Sequence, residues 1–116
     1  MEYWPGWAGT LDEPGRSSVV GQVALVSPLG EVRGPAPMLR AWLLGVAADS
    51  PNAERATDFI RFVVSAEGQK RIAIETGNPP TLAALYSDPD LIARFRWFPA
   101  QLAALEIAQP RPRITQ

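Results

Sequence analysis

The residue pattern predicts an α+β fold with most of its helix in the second half of the chain. Three observations carry that expectation. The run Val19–Ser27 is rich in β-branched residues, alternates well enough for a strand and is stopped by Pro28. From Ser50 onward the cap signals of helices recur at Ser50-Pro51, Ser65 and Asp88-Pro89. Most of the 12 prolines and 9 glycines lie in the first forty residues and the last seven, which describes a compact middle with irregular ends.

The elements follow in order. Residues 1–18 read as irregular, because Pro5, Gly6, Gly9, Pro14 and Gly15 break any period. The strand Val19–Ser27 comes next, then a turn-rich connection from Gly30 to Pro37. Leu43 to Ala48 is a short apolar run that fits a strand or a helix start. Asp49 and Ser50 precede Pro51, and residues before proline avoid the helical region, which favours extended backbone at the end of that run. Ser50 is then read as an N-cap with Pro51 at the first helical position. Ala56, Phe59, Ile60, Val63 and Val64 follow at helical spacing and define one apolar face. Ser65 caps a second helix, with Glu67 in its first turn favoured by the helix dipole. Gly77 ends it and Pro79-Pro80 prevent continuation. Asp88-Pro89 opens a third helix to about Phe95, and Pro99 a fourth, with Leu102, Leu105 and Ile107 largely buried. The organisation is thus 1–40 irregular plus strand, 41–109 strand and helices, and 110–116 a tail.

Composition excludes several functions. At 116 residues the chain is one domain at most. A net charge of −1 leaves no electrostatic footprint for nucleic acid, and Arg111 and Arg113 are too few to make one. There is no cysteine for a disulfide or thiolate site, and no histidine, the commonest general base and metal ligand. No cofactor or metal is expected. No apolar run approaches the roughly 20 residues of a membrane span. Met1-Glu-Tyr-Trp4 lacks the basic and apolar regions of a signal peptide, so the chain as it stands is not expected to be exported alone.

Glycoside hydrolysis would need two opposed carboxylates. Asp12-Glu13 and Asp88/Asp90 are the near pairs; Asp88 is explained by capping and Asp12-Glu13 by a polar turn. No phosphate loop or nucleophile elbow accompanies them, so the sequence predicts no enzyme.

The tryptophans carry more. Indole offers a broad apolar face and one donor, which suits the C–H face of a pyranose ring and its hydroxyl rim. A tryptophan is more often core than platform. Trp4 and Trp7 depart from that rule because they sit among prolines and glycines, where a scaffolded loop presents side chains to ligand. Trp97, beside Phe98 and close to Phe95, reads as core.

These residues also carry a resemblance. Tyr3-Trp-Pro-Gly-Trp7, Gly21-Gln-Val-Ala-Leu-Val-Ser-Pro-Leu-Gly30 and Ala41-Trp-Leu-Leu-Gly-Val46 are followed by Ser50-Pro-Asn-Ala-Glu-Arg-Ala56 and Ser65-Ala-Glu-Gly-Gln69. Gly77-Asn-Pro-Pro-Thr81, Leu85-Tyr-Ser-Asp-Pro-Asp90 and Ala108-Gln-Pro-Arg-Pro112 complete the order. The series resembles the extracellular solute-binding proteins of carbohydrate ABC importers, of the maltose and trehalose type. No single motif is specific; the ordered set is what matches.

The resemblance implies an α/β fold, here a helix-rich segment of the C-terminal lobe of a type II periplasmic-binding protein. It implies Trp4, Trp7 and Trp42 as sugar platforms, a disaccharide or oligosaccharide ligand, an ABC permease partner, and a periplasmic or extracellular setting for the full-length family. Arg40-Ala41 departs from the family's Gly-Gly, and Arg40 either blocks the cleft or offers a donor fork to hydroxyls or a carboxylate. The chain also lacks the residues of a first lobe and stops where family chains continue, so weak or absent ligand binding by the isolated chain is the expectation. Two alternatives stand beside this reading. One is a structural or interaction fragment that self-associates or pairs through exposed lobe surface. The other, a small hydrolase, requires Asp12 or Glu13 to face a second acid across a cleft.

Overall fold

The cap signals from Ser65 onward position the helices. A computed structural model of the chain describes residues 5–26, 29–30 and 34–110. Trp4, the Ser27-Pro28 end of the expected strand and the Arg111–Arg113 tail lie outside the described residues. Helices α1 (Ala53–Val64) and α2 (Ala66–Thr76) meet at Ser65, whose Oγ accepts from the Gly68 N–H at 3.1 Å. A Cβ at Gly68 would fall onto the Phe62 carbonyl oxygen, so this corner closes only around glycine. Gly77 ends α2 in the left-handed region at φ 72°, with its N–H on the Ala73 carbonyl at 2.8 Å. Asp88 caps α3 (Pro89–Arg94) by accepting from the Asp90 and Leu91 N–H groups, and Pro89 occupies the first turn. Helix α4 spans Phe98–Glu106.

Several expectations shift. Helix α1 begins two residues later than the Ser50-Pro51 signal implies, with Asn52 at the cap position and no side-chain cap bond. The Ser50 hydroxyl is used one turn earlier, accepting from the Asn52 N–H at 3.3 Å. The expected strand at 19–27 is not formed over its described residues. Gly21 adopts φ 69°, the Gln22 N–H closes a turn onto Val19 O at 3.0 Å, and the Gly21 N–H donates to Asp12. Residues 5–12, read as irregular, form a 3-10 helix (Pro5–Asp12), and a second one runs Ala83–Ser87. Leu105 and Ile107 are exposed and Leu102 half-buried, because α4 packs on the rest through its first turn. The apolar face of α1 exists, but no residue of α1 is buried.

The sheet among the described residues is two residues wide. β1 (Met38–Leu39) pairs in parallel with β2 (Gln109–Pro110) in the register Met38↔Gln109 and Leu39↔Pro110, and the Gln109 N–H donates to Pro37 O at 2.8 Å. Both strands are exposed.

The core is an aromatic cluster at the α3–α4 junction. Phe98 is fully buried; its ring stacks on Phe95 at 5.0 Å and 22°, tilts against Tyr86 at 5.2 Å, and meets Trp97 edge-on at 6.5 Å. Leu91, Leu85, Ala73 and Ala8 close around it. The Trp97 indole N–H has no hydrogen-bond partner among the described residues, so ring packing alone holds that side chain inside. The Tyr86 hydroxyl donates to Pro80 O at 2.8 Å, and burial pushes its phenol up to about 12.

Three polar staples tie distant segments to this cluster. Gln69, buried, donates from Nε2 to Val64 O, and its Oε1 accepts from the Thr81 N–H, the Thr81 hydroxyl and the Leu82 N–H. Lys70 Nζ bridges Asp88 at 2.8 Å and Asp90 at 2.7 Å, joining α2 to α3. Arg96 holds Asp12 through Nε at 2.7 Å and Nη2 at 3.0 Å, while Nη2 also donates to Val23 O at 2.8 Å.

Truncating Phe98→Ala is expected to cost about 3–5 kcal/mol, the range for deleting a buried ring, read as a lowered urea midpoint by circular dichroism. Acid should act through the staples. The Lys70 ammonium holds Asp88, and the Arg96 guanidinium holds Asp12, below the ordinary value of 3.8. Groups lowered on folding contribute stability above their unfolded value and lose it as pH falls through the folded one. The midpoint should therefore drop as pH falls below 3.8, and an Asp88→Asn variant should show a shallower drop.

Candidate functional site

The residues that sequence reasoning singled out lie on two separate supports. Trp7 rides on the 3-10 helix Pro5–Asp12 and is 65% exposed. That helix is anchored beneath it. Ala8 is buried, a Cβ at Gly9 would meet the Trp97 ring edge at 3.7 Å, and Asp12 at its end is gripped by Arg96. The Trp7 carbonyl also accepts from the Thr10 hydroxyl at 2.8 Å. Arg40 and Trp42 lie on the other support, the irregular segment that follows β1. Both are exposed, Trp42 by 90%.

Two concavities of the described surface are lined by residues other than Trp7, Arg40 and Trp42. One, of about 10 Å³ and large enough for about one water, sits under the 3-10 helix between Leu11, Asp12, Val23, Leu25, Arg96 and Trp97. The other is an open depression along Ser50–Arg55.

The carboxylates of the near pairs are all committed. Asp12 is bound by Arg96, exposed Glu13 by Arg16 at 3.2 Å, and Asp88 and Asp90 share Lys70. None of these near pairs is opposed across a cleft, which removes the support for a hydrolase. Sequence reasoning took Asp12 for a simple turn residue. Its partner is 84 positions away, and no local pattern signals a pair at that separation. Gln69 was likewise read only as part of a motif, whereas it fixes the Pro80–Leu82 loop from the inside.

The helix-rich scaffold agrees with comparison to known proteins. The sequence profile of the bacterial extracellular solute-binding proteins matches residues 1–95. The chain belongs to that family. A probable ABC transporter-binding protein of Deinococcus radiodurans is 32% identical over 113 residues, which is 97% of this chain and 27% of that protein. A probable amino-acid ABC transporter periplasmic-binding protein of Sinorhizobium fredii is 32% identical over 103 residues, 89% of this chain and 22% of that one. The chain thus spans about a quarter of the length of these curated relatives. Solute-binding proteins of this family bind their ligands and are not enzymes. Among the described residues no helix is long and apolar enough to cross a membrane.

The exposures make a direct prediction. Acrylamide should quench Trp42 readily and Trp97 hardly at all, so Trp42→Phe removes much of the quenchable emission and Trp97→Phe little. Trp42→Ala should change stability by no more than about 0.5 kcal/mol, as for surface sites generally. Trp97→Ala should cost about 3–5 kcal/mol. Urea denaturation of the two variants checks both.

Proposed function

We propose that residues 1–116 are a partial C-terminal lobe carrying the ligand-facing segment of the capture subunit of an ABC importer, and that its solute is a carbohydrate of the maltose or trehalose type. The observation that carries the proposal is Trp42, 90% exposed on an irregular segment two residues after exposed Arg40. An indole in that position stacks on a sugar ring while a guanidinium fork meets its hydroxyls. Trp7, and Trp4 just before the described residues, supply further aromatic surface. The lobe does no chemistry; it holds the solute, closes with a second lobe and presents the pair to a membrane permease from the periplasmic or extracellular side. Ligand sites of this kind bury most of the ligand's surface, so one open face binds weakly.

A second reading has an observation of its own. Arg40 fits a carboxylate bidentately as well as it fits hydroxyls, and the Sinorhizobium relative is named for amino acids. An amino-acid solute is the alternative.

Tryptophan emission of the purified chain, titrated with maltose, trehalose, longer maltooligosaccharides and a set of amino acids, separates the two. A saturable saccharide-dependent shift with a Kd of about millimolar (roughly −4 kcal/mol), lost in Trp42→Ala, is the expected result. A response to amino acids alone, lost in Arg40→Ala, would replace the carbohydrate with an amino acid. No saturable response to any saccharide would remove the sugar reading for this chain.

A further inference from the structure

The 3-10 helix Pro5–Asp12 needs support from outside itself. It runs eight residues, where such helices seldom exceed three or four, and it contains Gly6 and Gly9. Its three-residue turn sorts its contacts onto three faces, because residues i and i+3 eclipse. Ala8 and Leu11 share one face; Ala8 is buried, and both line the small cavity with Leu25 and Trp97. Gly9 and Asp12 share the second, Gly9 against the Trp97 ring edge and Asp12 on the Arg96 guanidinium. Trp7 and Thr10 share the third, and Trp7 is 65% exposed there.

The direction of the Trp7 indole is therefore set by how the helix is rolled about its axis. A roll of one face, about 120° at three residues per turn, would carry the indole away from its outward direction. The core side resists such a roll weakly. Ala8 and Gly9 let the helix sit close but offer one methyl group between them, and Leu11 borders the cavity rather than filling it. The contact at Asp12 is directional. Arg96 Nε donates to Asp12 Oδ2 at 2.7 Å and Nη2 to Oδ1 at 3.0 Å, a fork that fixes the plane and angle of the carboxylate. The same Nη2 donates to Val23 O at 2.8 Å, and Asp12 Oδ1 also accepts from the Gly21 N–H at 3.3 Å. One guanidinium, next in sequence to the buried Trp97, thus references the helix and the turn at 19–23 to the core.

We propose that Arg96 is the positioning residue of Trp7: its fork on Asp12 locks the roll of the helix Pro5–Asp12 and so aims the indole at the solute. Arg96 acts through Asp12 and need not touch the solute itself. The inference rests on the reading of Trp7 as a ligand platform made above, and not on which solute that platform takes.

Fluorine NMR of the chain labelled with fluorotryptophan tests it, the lines being assigned with Trp7→Phe, Trp42→Phe and Trp97→Phe variants. Arg96→Gln should move the Trp7 line toward its position in urea and keep the Trp42 and Trp97 lines near their folded positions. Amide exchange over residues 8–12 should quicken about three- to tenfold, the size expected for losing a half-exposed charge-assisted pair. Asp12→Asn should do the same, and it carries the test if Arg96→Gln does not fold. Arg96→Lys keeps the charge without the fork and should not restore the line. Lys70→Gln breaks the ion pairs of α2 with α3; it should lower the urea midpoint without moving the Trp7 line, which separates aim from general stability. An unmoved Trp7 line in Arg96→Gln and Asp12→Asn would overturn the proposal. So would full rescue by Arg96→Lys, or a Trp7 line that moves equally in Lys70→Gln. No solute is present in these measurements, so they stand apart from the carbohydrate reading. A saccharide added afterwards should bind the Arg96→Gln chain with a Kd raised by the same factor; an unsubstituted chain that binds none removes the sugar reading and leaves the aim of Trp7 decided by the fluorine lines.

Discussion

The ring of Phe98 is the contact on which the rest of this structure depends. It is fully buried where the 3-10 helix Ala83–Ser87, α3 and α4 converge, and Tyr86, Phe95 and Trp97 all pack on it. Remote pieces reach the same cluster at one remove. Ala8 and Gly9 bring the N-terminal 3-10 helix against Trp97, and Gly77, closing α2, lies within contact distance of Phe95. A core this small stabilises by ring packing more than by volume, since buried aromatic pairs add to the burial term. The polar staples then matter in proportion. Gln69, Lys70 and Arg96 each join segments that the aromatic cluster does not itself cover.

The same account explains what was legible in the sequence. Helix ends from Ser65 onward were readable, because capping is decided by a residue and its neighbours within one turn: Ser65 with Gly68, Gly77 with Ala73, Asp88 with Leu91. Trp97 was readable as core from the aromatic residues beside it. The region Val19–Val26 was not. Its composition favours a strand, but a strand needs a partner, and Gly21 together with the grip of Asp12 and Arg96 turns the backbone instead. The apolar face of α1 was read correctly as a face, and it carries no buried residue here, since periodicity reports where a helix wants cover and not whether cover is present. Of the site residues, Trp7 and Trp42 are exposed as ligand platforms must be. No local pattern, however, specifies how two loops more than thirty positions apart sit relative to each other.

The difference between the two proposed platforms is a difference in preorganisation. Trp7 belongs to a short helix held from three directions: Ala8 in the core, Gly9 on the Trp97 ring, and Asp12 in a bidentate grip that also pins Val23. A ligand meeting that indole finds it already oriented. Trp42 belongs to backbone without a ladder, so a ligand meeting it must also order the segment, at about 1–2 kcal/mol per residue fixed. Over the few residues around Trp42 that is comparable with the whole free energy of a millimolar complex, about 4 kcal/mol. Anything that orders Ala41–Val46 beforehand removes that cost from binding and adds it to affinity. Under the function proposed above, ordering of this segment and ligand capture at Trp42 are therefore thermodynamically linked.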